Sequence, residues 1–362
     1  MSQPKLHHYV PRMLLRRFSG DPAAENGPLE VLDKATHGTR RSSVGNEAAV
    51  THYNRLEELP KINPEIDPLL VETAFSMVED SGDQAIRRLV LGEPLTPMRR
   101  LEMAFLVYFQ HHRTPRGRSW SKFMQEQTQT MWMMRQLLDQ DLVVDHLRGI
   151  GEDVTAEEAR EWAQKQIRDL EDGTVWVDAG HDREVGGMFM FAEKIVPIIA
   201  GAMDWFVMHT AIGVSRRFII GDHPVAMVDE TVPKTHGVGW MGSPDVEVTL
   251  PLSPTCCLVL RPAPPGQDGR LEHVDAFAAD VDDVNLRTFA SAEWSAYGPD
   301  VESLKRVAAL ARANRDRVRL YAPHSPVLHI AEITQGETNP SKIDRLRPSG
   351  NVPRGRRKAT GG

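Results

Sequence analysis

Up to about residue 212 the apolar positions of this chain fall mostly at helical spacing. Beyond Gly213 they gather into short runs bounded by Gly, Pro and Asp, as strands do. Asp67 and Pro68 stand as an N-cap and a first-turn proline ahead of the stripe Leu70, Ala74, Met77 and Val78. Thr96-Pro97 repeats that signal ahead of Leu101 to Phe109, which is apolar almost all round and is therefore predicted at the centre of a bundle. Thr114-Pro115 interrupts it, and Trp120 to Asp141 resumes a helical pattern. Thr155 and Glu158 form a capping box opening Ala156 to Glu171. A further helix is predicted from Val185 to Ile212, kinked or split at Pro197.

Ahead of these, Pro11, Gly20, Pro22, Gly27 and Pro28 break any long periodicity. The first 60 residues therefore read as an irregular arm, docked through Met13 to Phe18 and Leu29 to Leu32. On the other side, Arg217 to Ile220, Val246 to Leu250 and Cys256 to Leu260 are predicted strands of one sheet. Val281 to Tyr297 and Val301 to Asn314 are predicted helices, with Arg317 to Tyr321 a returning strand. The expectation is an α+β fold: a predominantly helical bundle, a small mixed sheet in the C-terminal third and an irregular N-terminal arm. Residues 1–335 are expected to form one globular domain, made of an arm (1–60), a helical part (61–212) and an α+β part (213–335). Residues 336–362, with Lys342, Arg345, Arg347, Arg354, Arg356, Arg357 and Lys358 among Pro, Gly and Ser, are expected to be a disordered basic tail.

Composition narrows the partners. With 41% hydrophobic and 26% charged residues most of the chain should fold, and a net charge of -7 gives no global attraction to phosphate backbones. Any nucleic-acid contact must then be local. The basic tail offers one place for it, although a solvated terminus explains the tail as well. The opening residues lack the apolar core of a signal peptide, and no apolar run is long enough to cross a bilayer. A cytoplasmic location without membrane contact is expected. The adjacent Cys256 and Cys257 read as strand packing, since neighbouring cysteines close a strained ring. The stretch Gly237 to Gly242 matches a dinucleotide-binding glycine pattern, but it leads to a strand and not a helix, so it reads as a mobile loop. The zinc helix, the Walker loop, the nucleophile elbow and paired CxxC are not found.

Four places carry candidate chemistry. His7 and His8 lie next to Tyr9-Val10-Pro11, and adjacent residues of an extended segment point to opposite faces. One of the two, His8 as the catalytic choice, can act as base or ligand, or both can anchor the arm. Glu72 and Glu79, seven residues apart on one helix, fall about 20° short of two turns and share a face. They suit a paired acidic site or a solvated face, and Glu79 is taken as the catalytic candidate. Gln110 and Arg113 end the apolar helix on a common face, where Arg113 can clamp an anion or satisfy the last carbonyls of the helix. Asp222 and His223, after the apolar run Phe218 to Ile220, stand at a strand exit. There Asp222, the first choice as a catalytic residue, can bind a metal, orient a histidine, activate water or close an Asx turn. Arg16 and His223 join Arg113 and Gln110 as candidates for holding substrate.

The ordered set His7-His8-Tyr9-Val10-Pro11, Leu15-Arg16-Arg17-Phe18, Asp33-Lys34, Tyr53, Glu79, Gln110 with Arg113-Thr114-Pro115, Gly221-Asp222-His223-Pro224 and Pro251-Leu252-Ser253-Pro254 resembles a widespread microbial domain-of-unknown-function family with an N-terminal His-Tyr-Val-Pro motif. The resemblance spans roughly residues 5 to 320. It implies that the arm, the buried helix end and the strand exit belong together and converge, and it brings no activity or catalytic residues. His52 stands where that family's pattern has an aromatic residue before Tyr53. If His8, Glu79, Arg113 and Asp222 converge, the set suits a hydrolase acting on an anionic substrate, a nuclease or phosphodiesterase first, with or without a divalent metal. The alternative is a non-catalytic module that binds an anion, nucleic acid or protein.

Overall fold

The computed structural model describes residues 6–229, 231 and 243–322. The N-terminal part holds β1 (Leu6–His8), α1 (Arg12–Arg17), β2 (Pro28–Asp33), β3 (Thr39–Ser43) and β4 (Ala49–Thr51). The helical part follows with α2 (Leu59–Ile62), α3 (Leu70–Val90), α4 (Pro97–His112), α5 (Pro115–Leu137), α6 (Gln140–Gly149), α7 (Ala156–Glu171), α8 (His181–Met190) and α9 (Ala192–Gly201). Beyond them lie β5 (Met203–Thr210), β6 (Ile220–Gly221), β7 (Ala226–Val228), β8 (Glu247–Ser253), β9 (Cys256–Pro262) and β10 (Leu271–Ala276). The described chain ends with α10 (Ala278–Ser291), β11 (Ser295–Gly298), α11 (Val301–Ala313) and α12 (Arg315–Tyr321). The α+β class is as expected. The glycine pattern at 237–242 and the basic tail lie outside the described residues.

Helix starts follow local chemistry. The Thr96 side chain accepts the Arg99 amide at the head of α4, Thr114 accepts the Gly117 amide at the head of α5, and Pro97 and Pro115 occupy first-turn positions that need no donor. The Thr155–Glu158 capping box opens α7 as expected. Asp67 makes a turn instead of the cap itself: its carboxylate accepts the Leu69 amide, and α3 starts at Leu70.

Four expectations are corrected. The helix predicted over 185–212 is α8 and α9 followed by β5, and the break falls at Phe191 while Pro197 stays inside α9. Aromatic and β-branched Trp205, Phe206 and Val207 favour a pleated surface, and β5 pairs with both β9 and β10. The helix predicted over 281–297 stops at Ser291, because Ala292 turns to an extended conformation and the chain re-enters as β11. Arg317 to Tyr321 is helical: at i and i+4, Arg317 donates to the Tyr321 hydroxyl, and Asp283 of α10 accepts from both. The three predicted strands also do not share one sheet. β8 and β9 lie in a five-stranded sheet of order β10-β5-β9-β8-β7, whose β10–β5 pair is parallel. Ile220 belongs to an antiparallel sheet of order β3-β2-β11-β6.

That second sheet carries the arm into the body of the fold, since β2 lies between β3 and β11. Among the described residues β1 pairs with β4 alone, setting His8 opposite Ala49. One buried apolar cluster runs from Tyr9, Val10 and Leu14 through Phe75, Val107 and Trp205 to Tyr297. A second gathers Leu32, Ile219, Phe289 and Leu304, and a small one sits between α6 and α7 around Val143 and Ala159. No helix among the described residues is long and apolar enough to cross a membrane.

Candidate functional site

The end of α4 is polar and buried. Gln110, His111, His112, Arg113 and Thr114 are all buried, an arrangement that demands partners for every charge and donor. Thr114 restarts the helix at once, so α4 and α5 meet in a tight elbow. A Cβ at Gly117 would lie 2.0 Å from the His111 carbonyl oxygen, so only glycine lets the two turns close. Gly117→Ala is expected to destabilise the protein by roughly 3 kcal/mol or more, read from urea unfolding, because backbone and not a flexible side chain must move.

The elbow holds the N-terminal arm. The Tyr9 carbonyl accepts from Gln110 Nε2 at 2.9 Å and from Arg113 Nε at 3.1 Å. Arg113 Nε also reaches Gln110 Oε1, its Nη1 donates to Glu79 Oε1 at 2.7 Å, and its guanidinium lies 5.1 Å from the Phe75 ring centre. Arg113 Nη2 is buried with no hydrogen-bond partner among the described residues. One residue before Tyr9, His8 is half-buried, and its Nε2 is likewise buried and unpartnered. Burial and then the Arg12 guanidinium push the His8 imidazole down to about 4; Arg113 adds to this, and the Gly45 and Val44 carbonyls resist it. The ring is therefore neutral at pH 7, with a lone pair free on one nitrogen.

Asp222 and His223 reach the same elbow from the strand exit. His223 Nδ1 is hydrogen-bonded to Thr114 Oγ1. Its ring lies 5.0 Å from that of His111, which is 5.1 Å from that of His112. Burial depresses all three imidazoles, His111 to about 4 and the other two well below their usual range. Asp222 turns the other way. Its Oδ1 accepts the Glu293 amide at 2.6 Å, and its Oδ2 accepts the Trp294 and Ser295 amides at 2.8 and 2.9 Å. Burial pushes this carboxyl up to about 6 in spite of the three amides, which pull it down.

The elbow thus joins Glu79, Gln110 and Arg113 to the Tyr9 carbonyl and ties His223 to it through Thr114, while His8 precedes Tyr9 with its imidazole in the electrostatic field of Arg12 and Arg113. Asp222 acts electrostatically on the buried Tyr9 phenol. Glu72 is held apart from Glu79 by its own partners, accepting from Asn54 Nδ2 at 2.7 Å and lying 3.5 Å from His7 Nδ1. Arg16, half-buried on α1, makes no ion pair among the described residues. Sequence reasoning passed over Arg118, which donates to the Tyr53 carbonyl at 2.7 Å, lies 4.0 Å from the Tyr53 ring centre and pairs with Glu184 at 3.0 Å. It stands one turn into α5, where an arginine with Gly117 beside it signals close packing. Lys34 was also passed over as chemistry. It donates to the Ala290 and Ala292 carbonyls at the end of α10, and burial lowers it to about 8.

Among the described residues no three His, Cys, Asp or Glu side chains stand close enough to hold a metal ion. An open depression of about 390 Å³, lined by Arg55, Leu56, Glu57, Pro60, Lys61 and Pro68, contains none of the candidate residues.

Fold and site define an α+β protein in which an N-terminal strand, a helix elbow and a strand exit meet in a buried polar cluster. The family model that matches residues 6–300 is described as a protein of unknown function, DUF4238, and the chain belongs to that family. No curated protein and no solved structure matches it.

Proposed function

We propose that this protein is a hydrolase of an anionic substrate, a phosphodiester first, with His8 as its base. The observation that carries this reading is the neutral, buried and unpartnered His8 Nε2, lying in the field of the Arg12 and Arg113 guanidiniums. A neutral imidazole can accept a proton from an attacking water, and a bound phosphate anion would raise the basicity of a ring that burial and Arg12 hold at about 4. Guanidiniums beside it favour the charge on non-bridging phosphoryl oxygens. In this reading Arg113 Nη2 donates to the substrate, and Glu79 and Gln110 hold the guanidinium in place. Arg12, 40% exposed and paired with Glu25, is the solvent-facing cation of the group. Asp222 and His223 are positioning residues: Asp222 fixes residues 293–295, and His223 braces Thr114 at the elbow.

The test is cleavage of single- and double-stranded oligonucleotides and of bis(p-nitrophenyl) phosphate, with Mg2+ and with a chelator, by wild type and His8→Gln. Loss of roughly 100-fold or more in the variant is the expected result, the usual weight of a general base. Absence of cleavage by the wild type, or equal cleavage by the variant, rejects the proposal.

A second reading is favoured by the way Glu79, Gln110 and Asp222 are committed to protein partners, which leaves one free base. A non-catalytic module would bind a nucleic acid or other anion through Arg113 and Arg12 without turnover. Salt-dependent binding of the same oligonucleotides, uncleaved and weakened by Arg113→Lys, supports that reading over the first.

A further inference from the structure

His209 and His273 form a pair that neither proposal uses. β5 and β10 run parallel, with Val207 beside His273 and His209 beside Asp275, so both imidazoles lie on one face of the sheet. β10 is an edge strand, and His273 and Asp275 are exposed. His209 Nε2 stands 2.9 Å from His273 Nδ1, and the ring centres are 5.2 Å apart. At that separation two neutral rings share one proton in an N–H···N bond, or they offer both lone pairs to one cation.

The spacing is that of a hydrogen bond, and it also matches one class of cation better than another. Metal–imidazole bonds of about 2.0–2.1 Å set at a right angle place the two nitrogens about 2.9 Å apart, whereas a tetrahedral angle places them about 3.3–3.4 Å apart. The observed separation fits adjacent corners of a square or tetragonal site, the geometry of Cu2+ and Ni2+. We propose that His209 and His273 form a surface site for a tetragonal divalent cation, Cu2+ above all, completed by water. Among the described residues no third His, Cys, Asp or Glu closes the set. Asp275 adds a negative charge beside His209 that favours the bound cation. Binding moves the proton of the N–H···N bond to the far nitrogen of the donor ring. Below the imidazole range, protonation competes with the metal.

The experiment is a Cu2+ titration of the untagged full-length protein in the presence of glycine as a competing chelator, followed by electron paramagnetic resonance. Wild type, His209→Gln, His273→Gln and the double variant are compared, with circular dichroism confirming equal folding. The expected result is one equivalent of tightly held Cu2+ with a tetragonal spectrum coupled to two imidazole nitrogens. Each single substitution weakens it about tenfold or more and removes one nitrogen, the double variant loses it, and Zn2+ competes poorly. No stoichiometric Cu2+ in the wild type overturns the proposal. A spectrum and affinity that neither substitution alters also overturn it, since the ion then sits on other histidines.

Discussion

Acidification from pH 6.5 towards pH 4.5 is expected to destabilise this fold steeply. His8 and His111 are depressed to about 4, and His112 and His223 well below their usual range, all chiefly by burial. In the unfolded chain the same imidazoles titrate near 6.5, so in this window the unfolded state binds the extra protons and stability falls as pH falls. Asp222 opposes them. Its folded carboxyl is raised to about 6, so the native state holds that proton while an unfolded aspartate has released it. Four imidazoles against one carboxyl leave a net uptake of roughly three protons on unfolding, on the order of 4 kcal/mol per pH unit at the steepest point. Urea unfolding at half-unit steps measures the slope, and His112→Gln should lower it by about one proton. A stability that is flat between pH 7 and pH 5 contradicts this account of the buried histidines.

Asp222→Ala should be the most destabilising of the candidate-site substitutions. It removes the acceptor from three short amide hydrogen bonds at once and leaves buried donors unmatched. The cost is expected at roughly 3–5 kcal/mol, as for breaking a buried charged network by deleting one partner. Asp222→Asn keeps an acceptor oxygen and should cost less. It also steepens the acid slope, because the opposing proton is gone. Amide exchange at residues 293–295 localises the damage: in the Asn variant these amides should lose protection ahead of those in β9. Equal stability of the Ala variant and wild type refutes the anchoring role.

The elements that were legible in the sequence are those whose causes are local. Thr96-Pro97, Thr114-Pro115 and the Thr155–Glu158 box each satisfy their own helix end, and each marks a real start. β5, β11 and α12 escaped because their states are decided from a distance. β5 exists as a strand between β9 and β10, β11 begins where Asp222 captures the amides before it, and α12 is pinned to Asp283. The site divides the same way. Polar residues closing an apolar helix announced the elbow, and the apolar pieces Met13 to Phe18 and Leu29 to Leu32 announced a docked arm. That the two would join through the carbonyls of Tyr9 and Tyr53 has no trace in either segment. Arg118 was missed because the proline was taken as the end of the motif, although the elbow continues into the first turn of α5.

The sheet that interleaves the arm with the far end of the chain also sets a schedule for synthesis. β2 can complete its pairing only with β11, and that strand leaves the ribosome about 260 residues later, on the order of 10–50 s at ordinary elongation rates. For that interval one edge of β2 is unpaired and Leu32 lacks Ile219, Phe289 and Leu304, the late residues that bury it. The chain's exposure to chaperones and to misassembly is thus concentrated in its first 60 residues, and translation speed as well as temperature should govern how much of it reaches the folded state.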